Sequence, residues 1–477
     1  MGVAGAGRPP GGDLGGLSRR RAMHLLGTLT GTGALVAACG PAPGVPRGST
    51  PSGGAGKTTI TYWASWTGAF EEMVKRIANA FMAKNPDVQV NHLVIPGAEM
   101  DAKILTGVAA DDPPDVAMIW GAQRVYSLAD QGALYPLEDA LHGDQLTRFR
   151  EFVHPPIWEL GRYQGKVYAI PQWVQSYCHI WNKDYFQQAG LDAEQGPRTT
   201  EELFDWATKL TRRRSDGTID VLGYYSSWMQ LNMSIFGGSF YDEQTDSVQL
   251  DNKQNLDTLN YIVRYTKAYD PKKLADYQQV TSGAAQGTLD PILAGRTAMV
   301  LEGPWQLGVI KETKPDFRYG VAPIVTAPGR PRGWWTYGDI PCIIRNTKQA
   351  AAAARYVTFL TGFGGEEEYA SLYLMPPKGG GRPHNPISRR LTESAAWQPV
   401  LAEYPGYDKY MATAFGSETQ FVLTPPKMPI AAFLFNRLEA HVSRATLGLT
   451  TPEQALAEAQ KEVTDEYTRY KRQQGDT

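Results

Sequence analysis

The sequence predicts an α/β protein large enough for two lobes, and three observations carry that reading. From Thr59-Ile60-Thr61-Tyr62-Trp63 to Trp120 the chain alternates strand, helix, strand, helix, strand, an order that builds a parallel sheet with crossover helices. The pattern then changes at KVYAIPQWVQSYCHIWNK, residues 166–183, which alternates and runs long, as a strand crossing between two bodies does. Beyond a leader, about 420 residues remain, too many for one compact domain and enough for two large lobes.

Each element has a local signature. After TITYW, residues Phe70, Met73, Val74, Ile77 and Phe81 recur at helical spacing, and Asn85-Pro86 stops that helix. VQVNHLVI is a second strand. AKILTGVAA is a second helix, closed by DDPP, and Asp115 to Trp120 is a third buried strand. Thr199 and Glu202 form a capping box that opens a helix with Leu203, Trp206, Ala207 and Leu210 on one face. GTIDVLGYY reads as a strand, residues 255–270 as a helix, and ILAGRTAMVLEGPW as a helix end, a glycine turn and a strand. YGVAPIV and YGDIPCII are further strands, Ala350 to Leu360 is helical, and residues 376–387 form a loop. Thr451-Pro452-Glu453-Gln454 opens a last helix with Leu456, Ala459, Val463, Tyr467 and Tyr470 on one face, leaving 471–477 as a polar tail. No internal repeat is present.

The start of the chain is a targeting segment. Ser18-Arg19-Arg20 precedes a short apolar stretch, GTLTGTGALVAA, that ends at Cys39. A basic start, a short apolar run and small residues describe an export signal, and the run is too short and too rich in Gly and Thr to span a bilayer. Residues 35–39, LVAAC, resemble a lipobox, in which Cys39 becomes lipidated after cleavage. Ser18-Arg19-Arg20 resembles a twin-arginine signal, although Ala22 and Met23 replace the usual bulky pair. The general secretory and twin-arginine routes both stay open. Residues 40–57 would then be a flexible Pro/Gly/Ser tether holding a domain off the membrane. Gly56-Lys57-Thr58 within that tether imitates a nucleotide phosphate loop. The first glycine of that motif is replaced by Pro51, and a strand follows where a helix is required, so the resemblance fails.

Composition excludes several classes. Lys plus Arg number 47 and Asp plus Glu 49, so no basic surface for nucleic acid is expected. Seven histidines are scattered singly, with no HExxH and no Cys-x-x-Cys, so no metal site or cofactor is expected. Cys178 and Cys342 could pair in an exported protein or stand as two buried thiols. Aromatic residues are plentiful, with 12 Trp and 24 Tyr.

TITYWASW, PPDVAMIW, YAIPQ…IWNKDYFQQAGLD, RTTEELFDWATKL, FGGSFY, GRTAMVLEGPW and YGVAPIV…GDIPCII occur in the order found in the solute-binding proteins of carbohydrate ABC transporters. Over nearly all of residues 57–470 the chain resembles that maltose-binding-protein-like family. The resemblance implies a two-lobed periplasmic-binding-protein fold of type II, each lobe a mainly parallel sheet flanked by helices. Lobe I would comprise 57–172 and 338–385, and lobe II 175–335 and 386–470. Hinges would lie at 170–182 and near 335–340, and closure over the ligand would be hinge motion. The implied partners are a sugar, permease subunits, and the membrane through lipid on Cys39. The chain is expected to be a monomer that catalyses nothing.

Sugar binding needs flat aromatic faces and a few placed polar groups, and in parallel sheets the useful residues lie at strand ends. Trp66 follows the first strand. Trp120 ends the third, with Gln123 and Arg124 beyond it. The family carries a Trp, an acid and an Arg in this loop, so Gln123 replaces the acid. The family's acid in the crossing strand falls on Gln175, so that acid is missing too. Trp305 is the Trp of the family's Gly-Pro-Trp. Tyr225 and Trp228 face the cleft from lobe II. Trp335, Tyr337 and Asp339 lie at the second crossing, with Asp339 the preferred carboxylate. Trp63, Trp181 and Trp206 are assigned to the core, and Asp115 caps a turn. In some relatives that bind glycerophosphodiesters or phosphosugars, an Arg near Arg382 holds an anion, a task for which Arg is suited. Two lost acids lean toward a less hydroxyl-rich or a negatively charged ligand. An exported glycoside hydrolase would need two carboxylates across the cleft, with Glu302 and Asp339 as candidates. A sensor or adhesin role on the same fold is the third reading.

Overall fold

The computed structural model describes residues 57–281, 290–363, 383–395 and 397–475. Strand β1 (Thr58–Ala64) buries Ile60, Tyr62 and Ala64, as the two-residue period of a strand requires. Helix α1 (Ala69–Lys84) buries Met73, Val74, Ile77 and Phe81. Glu71 and Glu72 lie in its first turn, where the helix dipole favours negative charge, and Asn85 ends it by donating its N–H to the Phe81 carbonyl. β2 (Val88–Val94), α2 (Met100–Ala109) and β3 (Val116–Trp120) complete the expected alternation, and α3 (Ala122–Asp130) follows.

The long crossing strand expected over 166–183 is broken in two. β4 (Trp173–Gln175) and β5 (Cys178–Asn182) are separated by Ser176 and Tyr177 because they pair in different sheets. α4 (Thr200–Leu210) forms half of its expected capping box: the Thr199 side chain accepts the Glu202 N–H at 3.1 Å, while the Glu202 carboxylate turns to the Arg198 N–H. α5 (Met229–Phe236), α6 (Lys253–Tyr269), β6 (Met299–Glu302), α7 (Trp305–Thr313), β7 (Tyr319–Pro323), β8 (Gly333–Trp335), β9 (Tyr337–Ile343) and α8 (Ala350–Leu360) follow. After residues 383–415 come β10 (Phe421–Leu423), α9 (Ala431–Thr446) and α10 (Pro452–Gln474). The capping box at Thr451 and Gln454 is complete. Helix α10 runs through Lys471 to Gln474, so most of the expected polar tail is helical, and Tyr470 donates to Asp130 at 2.5 Å.

The first sheet has the order β2-β1-β3-β9-β4, parallel among β2, β1 and β3, with β9 antiparallel to both of its neighbours. The second has the order β6-β5-β7, and both outer strands run antiparallel to β5. A mainly parallel sheet was expected in each lobe. In the second, the central strand is the segment arriving from the crossing, and its flanking strands run against it. A parallel bridge between Leu222 and Thr297 extends that sheet on one side.

One hydrophobic core gathers the first sheet with Met73, Ile104, Tyr356 and Val357, and two more fill the second lobe. The first core also takes in Leu307, Ile310, Phe317 and residues between Ile387 and Ala414, so apolar packing runs across the boundary expected near 385. Trp181 is buried, and Trp63 and Trp206 pack against cores, as expected. Cys178 and Cys342 are both buried free thiols. Burial pushes the Cys178 thiol up to about 12. Among the described residues, no helix is long and apolar enough to cross a membrane, and no group of His, Cys, Asp and Glu could hold a metal ion.

Candidate ligand-binding site

The first-lobe part of the site forms where β3, β4 and β9 end together. Register sets Asp339 against Trp120 on one side and Trp173 on the other, and Tyr337 against Gln175. Gly121 turns the chain out of β3 at φ 82°, a conformation that favours glycine. A Cβ there would also come within 2.6 Å of the Tyr337 ring and overlap the Gln123 side chain. Gln123 hydrogen-bonds Tyr337. Its Oε1, like Trp120 Nε1, is buried with no partner among the described residues. Arg124 is tied down: Nε and Nη2 donate to the two oxygens of Asp101 at 2.8 and 2.6 Å, and Nη2 also reaches the Gly97 carbonyl at 3.1 Å. This fork positions α3 against the start of α2.

A row of rings leads from there into the second lobe. Trp66 stacks on Phe70 and Trp173, with centroids 6.0 and 5.3 Å apart. Trp173 stacks on His384 at 4.3 Å, and His384 lies 5.8 Å from Trp305. Tyr177 meets Trp305 and Trp228 edge-on, each at 5.8 Å. Trp66 and Trp173 belong to the first core, Tyr177 to the second, and Trp305 packs against the second. Tyr177 also donates to Gln175 Oε1 at 3.1 Å, so it joins the two groups of residues. Trp173, Gln175 and Tyr177 are two residues apart, which puts them on one face of an extended crossing segment.

The second-lobe part is open. A cavity of about 930 Å³ is lined by Tyr225, Trp228, Gln230, Asp290, Glu302 and Glu439, among others. The Trp228 side chain is 47% exposed. A Cβ at Gly303 would overlap the Trp305 ring, so the glycine lets that ring fold back over the chain. Asp290 accepts from Gln306 Nε2 at 3.0 Å and from the Ile292 N–H at 3.1 Å. Burial, and then the nearby Asp290 carboxylate, push the Glu302 carboxyl up to about 7.

Two expected site residues lie elsewhere. Trp335, 3% exposed, is packed edge-on between Phe240 and Phe435 in the second core. Asp339, 5% exposed, turns its carboxylate to Trp173 Nε1 behind the aromatic row. Burial pushes it up to about 7, against the lowering effect of the Trp173 N–H. It is a positioning residue for Trp173. Asp115 accepts the Thr61 N–H at 2.8 Å and binds the Thr347 hydroxyl, in keeping with a turn-capping role. Arg382 and Cys39 lie outside the described residues. Sequence reasoning missed Trp173, Tyr177 and His384. The two-residue spacing around Gln175 carried the signal for the first two.

An open cavity in the second lobe lies near an aromatic row that joins two cores across the chain crossings. The model of the bacterial extracellular solute-binding proteins matches residues 76–377. The chain belongs to this family. Its members are extracellular, so this solute-binding protein is an exported one. The solved structure of CpMnBP1 with mannotriose bound has a TM-score of 0.72 at 27% identity, covering 85% of this chain and 100% of that one. A maltotriose-binding protein of Pyrococcus abyssi is 24% identical over 312 residues, 65% of this chain and 63% of the relative. An sn-glycerol-3-phosphate-binding periplasmic protein of Agrobacterium fabrum is 28% identical over 176 residues, 36% of this chain and 39% of the relative. The similar proteins are binding proteins, and the two-lobed fold is common to them.

Proposed function

We propose that this solute-binding protein captures a sugar or oligosaccharide between its lobes and presents it to the permease of an ABC transporter. The observation that supports this most is the packed row from Trp66 through Trp173 and His384, which leads across the crossing segments to the partly exposed rings of Trp305 and Trp228. Flat rings cover the apolar faces of pyranoses, and Gln123, Arg124, Gln175, Tyr225 and Tyr337 supply polar atoms beside them. The crossings at 175–178 and 335–337 act as hinges, and the ligand favours the closed state by binding it better. The lobes follow the boundaries 57–172 with 338–385 and 175–335 with 386–470. Residues 1–39 direct export, lipid on Cys39 anchors the chain, and 40–57 is the tether. The protein works as a monomer, without cofactor and without covalent chemistry.

Thermal melting of the purified chain against neutral sugars, oligosaccharides, sugar phosphates and glycerophosphodiesters tests this. A ligand at 100 times its dissociation constant adds about 2.7 kcal/mol. A shift with neutral sugars, lost in Trp305→Ala, is expected. The sn-glycerol-3-phosphate-binding relative supports a second reading, in which the ligand is phosphorylated and Arg382 holds it. A shift confined to phosphorylated compounds and lost in Arg382→Ala would establish that reading instead. Turnover of a chromogenic glycoside would overturn the absence of catalysis.

A further inference from the structure

The charge along the cavity is one-sided. Its described lining carries Asp290, Glu302 and Glu439 and no Lys, Arg or His. Among the described residues of the first-lobe group, the Arg124 guanidinium is ion-paired with Asp101. Glu302 has the Gly303 backbone as a hydrogen-bond partner and no ion pair among the described residues. It also immediately precedes the Gly303-Pro304-Trp305 turn that sets the Trp305 ring. Two features mark this wall as ligand-facing: the open volume that Glu302 lines, and the half-exposed Trp228 ring on the same cavity.

We infer that Glu302 is the charge selector of the cleft, admitting uncharged or amine-bearing sugars and rejecting ligands that carry a carboxylate or phosphate. This rests on the sugar-capture reading and narrows it. An anion entering this cavity meets Glu302 with Asp290 behind it, and like charges at short range in a partly dry site repel strongly. The ligand could relieve that repulsion only by leaving or by forcing a proton onto Glu302. A hydroxyl donates to the carboxylate, and an ammonium does so with charge assistance.

The test uses matched sets: glucose, mannose and galactose and their oligomers, each beside its 2-amino sugar and its uronic acid. Affinities are read from melting shifts and titration at pH 8. In the wild type, the uronic acid is expected to bind about 10- to 100-fold more weakly than its neutral parent, and the amino sugar at least as well. Glu302→Gln, which keeps size and hydrogen bonding, should close the gap to within about threefold by removing the repelling charge. The gap should also narrow in the wild type between pH 8 and pH 6 and stay flat in the variant. The other groups around Glu302 are Asp290, Glu439, Tyr177, Tyr410 and its strand partner Cys178. Of these, Tyr177, Tyr410 and Cys178 are all pushed up by burial, away from that pH window. A uronic acid that binds as tightly as its parent, or a gap that survives Glu302→Gln, overturns the inference and leaves the sugar reading standing. If no set shifts the melting, the sugar reading fails and the inference with it.

Discussion

The two walls of the site use similar rings but are built on opposite principles. On the first-lobe side the charged groups and Gln175 are matched, Arg124 with Asp101, Asp339 with Trp173 and Gln175 with Tyr177, while Gln123 Oε1 and Trp120 Nε1 have no partner among the described residues. On the second-lobe side Trp228 is half exposed and Glu302 faces open volume with no ion-pair partner among the described residues. Matched groups in a packed setting hold one geometry, whereas unmatched ones retain their full interaction for something that arrives later. The first wall therefore acts as a preorganised platform and the second as the chemical selector.

If the platform is structural, breaking it should cost stability first. Trp173→Ala removes a ring with no exposed surface that is stacked on two others. A loss of about 3–5 kcal/mol in denaturant unfolding is expected. A loss under about 1 kcal/mol would show that the row is loosely packed. Gly303→Ala is expected to act mainly on binding. Its methyl displaces the Trp305 ring, costs about 1–3 kcal/mol of stability, and should weaken any sugar that Trp305 contacts. Unchanged affinity would remove Trp305 from the selecting wall.

A smaller effect separates the walls by pH. The Asp339 and Glu302 carboxyls are each raised to about 7 in the folded chain, against about 4 when unfolded. Their protonated forms are favoured by folding, so the associated stability is present below pH about 4 and is lost as pH rises toward 7. Asp339→Asn keeps an acceptor for Trp173 and removes that slope. Its melting temperature should gain on the wild type as pH rises from 4 to 8, and a constant difference would sink the assignment. The smallest effect is expected from Arg124→Ala, whose Asp101 partner is partly exposed. It should cost at most about 1 kcal/mol, and a total loss of sugar binding would make Arg124 a direct ligand contact instead.

Much of the fold was legible because it is written in local pattern. The alternation from β1 to β3 follows from apolar spacing and from stop signals such as Asn85-Pro86. The Thr451 capping box marks the last helix to the residue. The break between β4 and β5 was not legible, since one alternating segment pairs in two sheets and alternation does not say with what. Trp335 and Trp305 illustrate the same limit within the site. Both are tryptophans at a strand end or crossing, yet Phe240 and Phe435 close around one while Gly303 folds the other back toward Tyr177.

By itself, the sequence determined the class of protein, the order of its elements and the presence of aromatic and amide groups at the strand ends, because these depend on neighbours within a few residues. Only the tertiary structure decided which rings share a row, that Asp339 serves Trp173, and that Asp290, Glu302 and Glu439 line one second-lobe cavity without an ion pair among the described residues. Those outcomes depend on residues brought together from separate segments of the chain, Trp173 and Asp339 among them, and burial and charge pairing are properties of the assembled chain.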